Sequence, residues 1–71
     1  MKIDVGDTVL VIDMHGNYED TEEECVDITS EYDSFTKRTF EIIHIEGDRE
    51  FDSRTGEAIT PPLNYRIEVM Q

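Results

Sequence analysis

Thr39-Phe40-Glu41-Ile42-Ile43-His44-Ile45 decides the fold. Three isoleucines, a phenylalanine and a threonine crowd seven positions, and the run stops at Gly47-Asp48. Its length suits a strand, and its β-branched side chains pack well on a pleated surface but lose rotamer freedom in a helix. The rest of the chain carries the same bias: eight Ile and five Val against two Leu and one Ala, with seven Thr besides. A mainly β domain is expected.

Working outward, Glu46-Gly47-Asp48-Arg49 reads as a tight turn and Arg49-Glu50-Phe51 as a short return strand. Pro61-Pro62 cannot donate to a sheet ladder and delivers the chain to a last strand, where Tyr65, Ile67 and Val69 alternate with Arg66 and Glu68. Towards the N-terminus, Asp4-Val5-Gly6-Asp7 is a turn, and Thr8-Val9-Leu10-Val11-Ile12 is an apolar run held between Asp7 and Asp13. These readings predict strands near residues 8–13, 39–46 and 64–69, with Ile42 or Ile43 and Ile67 in the core.

The chain has 71 residues, so residues 1–71 form a single domain in which nearly all the Ile, Val, Phe and Tyr must share one core. Cys25 is the lone cysteine, which excludes an internal disulfide and paired-cysteine zinc sites and suits a reducing cytoplasm. No apolar run approaches the ~18 residues of a membrane span, and the opening Met1-Lys2-Ile3-Asp4-Val5 lacks the apolar stretch of a signal peptide. A soluble, cytoplasmic chain is expected.

The segment from residue 18 to 35 reads two ways. Thr21-Glu22-Glu23-Glu24 fits a capping box, and Cys25, Ile28, Tyr32 and Phe35 recur at steps of three, four and three, as on one face of a helix. Against this stand the β-branched Val26, Ile28 and Thr29, and acids that repel one another at helical spacings. A long acidic loop with a short helix over about residues 21–33 is the expectation, with strand as the alternative.

Charge is the most unequal feature of the chain. Eighteen acids face six bases, a net of −12. Residues 1–34 carry eleven acids and one base, and residues 35–71 carry seven acids and five bases. Between residues 13 and 33 there is no Lys or Arg at all. Solubility alone accounts for a high net charge, but not for its segregation, since packing like charges together raises self-repulsion. The acidic stretch therefore reads as an interaction surface. The excess of negative charge argues against direct binding of nucleic acid or anionic lipid, both of which need Lys and Arg.

Val5-Gly6-Asp7-Thr8-Val9-Leu10-Val11 resembles the opening of many small SH3-like barrels, where a Gly-Asp turn feeds the first strand, and Thr36-Lys37-Arg38-Thr39-Phe40-Glu41-Ile42-Ile43 resembles their second strand. The likeness spans roughly half the chain. It implies a small SH3-like barrel or a strongly bent antiparallel sheet. Because short acidic barrels are frequent among small bacteriophage proteins, it also implies a viral origin and a place in the host cytoplasm. Nucleic-acid-binding versions of that fold carry basic loops; here the corresponding loop is acidic throughout.

No arrangement in the chain points to catalysis. Cys25, His15 and His44 sit in no recognisable nucleophile motif, and the acids around Cys25 oppose thiolate formation. Asp13, His15, Asn17 and Glu19 alternate as calcium ligands do, as do Asp48, Glu50 and Asp52, yet the first series has Tyr18 where a calcium loop needs its glycine, and the second lacks both that glycine and the closing glutamate. No enzyme activity, cofactor or metal is expected. The expected partner is a basic protein surface, such as the groove of a nucleic-acid-processing protein, which this chain would inhibit in the manner of a DNA mimic. The residues assigned to that contact are Tyr18, Glu19, Asp20, Glu22, Glu23, Glu24, Asp27, Glu31, Tyr32 and Asp33, with Glu50, Asp52 and Glu57 expected to matter less. The alternative function is a structural or assembly module whose acidity only serves solubility.

Overall fold

A computed structural model describes residues 2–70. Five strands follow one another along the chain: β1 (Thr8–Asp13), β2 (Thr21–Asp33), β3 (Arg38–Ile45), β4 (Arg49–Asp52) and β5 (Tyr65–Val69). They form one antiparallel sheet in the order β4-β3-β2-β1-β5. The expected strands at residues 8–13, 39–46 and 64–69 are all present to within a residue or so, and the mainly β class stands.

Alternation builds the core. Val9 and Val11 of β1, Cys25 of β2, Ile43 and Ile45 of β3, Phe51 of β4 and Ile67 of β5 pack as one cluster with Ile3, each less than a tenth exposed. Cross-strand register lines them up: Val11 faces Ile67, Cys25 faces Ile45, and Ile28, Ile43 and Phe51 form a row across three strands. Burying such a side chain contributes about 1.5–3 kcal/mol. Ile42 is equally buried but lies on the opposite face, between Thr29 and Asp52 in register.

A single sheet can gather residues from all five strands into one cluster only by curling. β4 and β5 remain its edges and do not pair with each other, so the strands do not close into a barrel. Residues 56–59 lie between those edges. Asp52 N–H donates to the Glu57 carbonyl (2.9 Å) and Ile59 N–H to Glu50 (2.9 Å), while Ala58 N–H donates to Tyr65 (3.0 Å) and Ile67 N–H to Gly56 (2.8 Å). Between β3 and β4 the turn holds Gly47 and Asp48 at φ 82° and 60°, a conformation that Gly and Asp tolerate.

The acidic segment corrects the sequence reading. There is no helix among the described residues, and residues 21–33 are neither helix nor loop: they are the longest strand of the sheet. Pairing wins because Val26, Ile28 and Thr29 prefer extended backbone, and because β1 and β3 offer ladders on either side. Alternation also sends neighbouring acids to opposite faces, where a helix would stack them at i, i+3 and i+4.

Candidate functional site

β2 reaches past the rest of the sheet. Its first part pairs with β1 (Thr8 opposite Glu24, Val11 opposite Thr21), and its second part pairs with β3 down to Asp33 opposite Arg38. Between the two, the register slips by one: Cys25 faces Ile45 but Asp27 faces His44, leaving Val26 as a bulge. In an unbroken ladder, side chains two apart share a face, so Cys25 and Ile28, three apart, could not both turn inward. The surplus residue permits it.

That bulge also aligns the acids. Before it, Glu22 and Glu24 point away from the core; after it, Asp27, Glu31 and Asp33 do so as well. Five carboxylates of β2 thus share the outer face of the sheet. The same face continues across β3 onto β4, because His44 lies between Asp27 and Glu50 in register, and Ile42 between Thr29 and Asp52. Glu50 and Asp52 therefore lie on the same face as the β2 acids. The acids on this face are interrupted, among others, by Arg38 opposite Asp33, Arg66 paired with Glu68 at the β5 edge, and His44, whose Nε2 meets Thr29 Oγ1 at 2.7 Å.

Other expected contact residues are placed differently. Glu23 turns to the inner face, is half-buried and forms an ion pair with Arg49, so its charge is compensated. Tyr32 lies on the core side of β2, yet it is 63% exposed because the core ends before reaching it. Tyr18, Glu19 and Asp20 are exposed in the β1–β2 connection, Tyr18 at 71%.

Asp13, at the start of the acidic stretch, is only 4% exposed and does not contribute to the acidic surface. Its Oδ1 accepts from His15 N–H (2.9 Å) and Asn64 Nδ2 (2.7 Å), and its Oδ2 from Asn17 N–H (2.9 Å) and Tyr18 N–H (3.1 Å). Burial by itself would raise this carboxyl, but those four donors outweigh it and hold the group below its ordinary value. The carboxylate thus shapes residues 14–18 and presents Tyr18. An Asp followed by Gly16-Asn17 is a legible signal for such a loop.

At the far end, Asp33 accepts from Phe35 N–H (2.9 Å) and Thr36 Oγ1 (3.0 Å), which lowers its carboxyl and closes the β2–β3 turn. Phe35 stands at the tip, 95% exposed. Beyond Thr29 and Ile42, strands β2 and β3 pair only with each other, apart from the Glu41 carbonyl, which accepts from Ser53 N–H, so residues 30–40 form a two-stranded arm. The molecule measures 36 × 25 × 20 Å. Beside the arm lies an open groove of ≈ 700 Å³, with Phe40 flanked by Arg38, Arg54 and Asp52.

Among the described residues no group of three or more His, Cys, Asp and Glu side chains is gathered as a metal would require. Cys25 is buried, and the loss of solvent raises its thiol, to which nearby Asp7, Asp27 and Glu24 add. The arrangement is suited to contact through charge and exposed aromatics. Comparison with protein-family models, with curated proteins and with solved structures finds no significant match.

Proposed function

We propose that this protein is a non-enzymatic acidic binding protein, whose outer β2 face docks on the basic groove of a nucleic-acid-processing protein and inhibits or modulates it. The observation behind this reading is the Val26 bulge, which keeps Glu22, Glu24, Asp27, Glu31 and Asp33 on one face of a strand that would otherwise split them. Carboxylates on alternate strand residues recur about every 7 Å, with a gap of about 13 Å where Thr29 stands between Asp27 and Glu31. Each strand of DNA carries a phosphate about every 3.4 Å, so the face reaches less than half that charge density. A basic groove attracts either through the same Coulomb term, and opposed fields accelerate encounter.

The same reading extends to class and place. The Gly6-Asp7 turn before β1 and the antiparallel sheet, with residues 56–59 between β4 and β5, support a likeness to the SH3-like barrels common among small bacteriophage proteins, although the strands do not close and residues 36–43, likened to a second strand, run into β3. Such a protein would act in the host cytoplasm, on host machinery, without touching nucleic acid itself.

The test compares two triple variants of equal charge change. Glu22→Gln, Glu24→Gln and Glu31→Gln remove acids from the outer face, while Asp4→Asn, Glu46→Gln and Asp48→Asn remove exposed acids elsewhere. Proteins retained from a lysate on the immobilised chain and released by duplex DNA supply the partner. The first variant should slow association with that partner about ten-fold and the second much less. Equal losses reduce the face to nonspecific charge. A second reading, a structural or assembly module, is favoured by Phe35 at the arm tip; no loss from either variant, with binding indifferent to salt, would select it.

A further inference from the structure

The arm leaves one edge of β2 without a partner. Cys25 uses both backbone groups on the N-terminal segment: Gly6 N–H donates to its carbonyl (2.8 Å) and its own N–H donates to Asp7 (2.9 Å). Past the bulge, Ile28 N–H turns to the Asp27 side chain (2.9 Å). Ser53 N–H donates to the Glu41 carbonyl (3.1 Å), so the Glu41 backbone faces the β4 side, and its β2 partner Ser30 must face away from β3. The same parity applies to Tyr32, opposite Thr39. The N–H and C=O of Ser30 and Tyr32 therefore find no backbone partner among the described residues.

Resting on the acidic-face reading, we infer that the open β2 edge at Ser30 and Tyr32 accepts an extended basic segment of the partner as an added strand. Backbone pairing of this kind supplies affinity, and side-chain alternation supplies selectivity. An incoming strand would set one row of side chains beside Thr29, Glu31 and Asp33, where Lys or Arg is complementary, and the other beside Ile28 and Tyr32, where apolar residues fit. A second copy of this chain is a poorer occupant. Antiparallel pairing of two β2 edges about Ser30 would bring Asp33 of one copy opposite Asp27 of the other, with a net charge of −12 on each.

The experiment uses the whole chain and two synthetic heptapeptides of the same Lys and Val composition, one alternating and one with its lysines in a block. Amide hydrogen exchange and binding are measured for the native protein, for Ser30→Pro, and for the Glu22, Glu24, Glu31→Gln variant. Proline at 30 removes an outward donor without changing charge, and a thermal melt confirms its fold. The alternating peptide should bind about ten-fold tighter than the block isomer, slow exchange at Ser30 and Tyr32, and lose about ten-fold on Ser30→Pro. In a melted Ser30→Pro variant, the exchange pattern of the native chain decides instead. Equal binding of both peptides, lost only in the Gln variant, overturns strand addition and leaves the acidic-face reading standing. Binding unaffected by any variant overturns both. Slowed exchange at Thr39 instead would place the added strand on the β3 edge, and concentration-dependent self-association that protects Ser30 would make the occupant a second copy; either overturns the proposal.

Discussion

Asp13 and Cys25 show how far a residue's meaning depends on its surroundings. Asp13 is held ionised by four donors, so its folded carboxyl titrates below its unfolded value of about 4. Its stabilisation is accordingly complete above that pH and is lost as pH falls through the folded value. Asp13→Asn should lower Tm at neutral pH and free the β1–β2 connection, and the gap from the native protein should narrow below about pH 4. Thermal melts of both chains across that range check it; a gap that widens in acid would count against the assignment. Ile43, with no exposed surface, makes a second case: Ile43→Ala should cost about 2–5 kcal/mol, whereas Val5→Ala at an exposed turn should stay within about 0.5 kcal/mol. Urea unfolding at constant slope distinguishes these. Cys25 should resist thiol reagents until the protein unfolds, because it is buried and its thiol is raised.

At the scale of the element, β2 depends on one surplus residue. Cys25 and Ile28 lie three apart, and the bulge at Val26 lets both turn inward while the acids turn out. Deleting Val26 restores a regular ladder with the same faces, so the chain should still unfold cooperatively, with less twist in the arm. Deleting His44 from β3, which has no surplus residue, sets Ile43 and Ile45 side by side and forces one out of the core. The His44 deletion should abolish cooperative unfolding. Circular dichroism and thermal melts of the two deletions decide, and equal damage from both would remove the bulge from the account.

The whole molecule carries its charge as a field. With a net of −12 and only two ion pairs among the described residues, Glu23–Arg49 and Arg66–Glu68, the compact state repels itself. Tm should rise when sodium chloride goes from about 10 mM to about 150 mM, as the screening length shortens from about 30 Å to about 8 Å. Magnesium or calcium at equal ionic strength should do no more. A much larger effect of either ion would point to a site that the side-chain arrangement does not disclose. In binding, the same field predicts association that slows steeply with salt.

Strand identity for β1, β3, β4 and β5 was legible in the chain, because β-branched runs, alternation and Gly, Asp and Pro stops are local properties, and the physics of the pleat is local too. The charge asymmetry was equally plain. The conformation of residues 21–33 was not, since the steps of three and four among Cys25, Ile28, Tyr32 and Phe35 suit a helix as well as a bulged strand followed by a turn. Only the ladders of β1 and β3, formed by residues far apart in the chain, decide between them. Tertiary structure likewise withdrew Asp13 and Glu23 from the acidic face and added Glu50 and Asp52 to it. Which face an acid occupies depends on register, and register is set by how the curled sheet fills its single core.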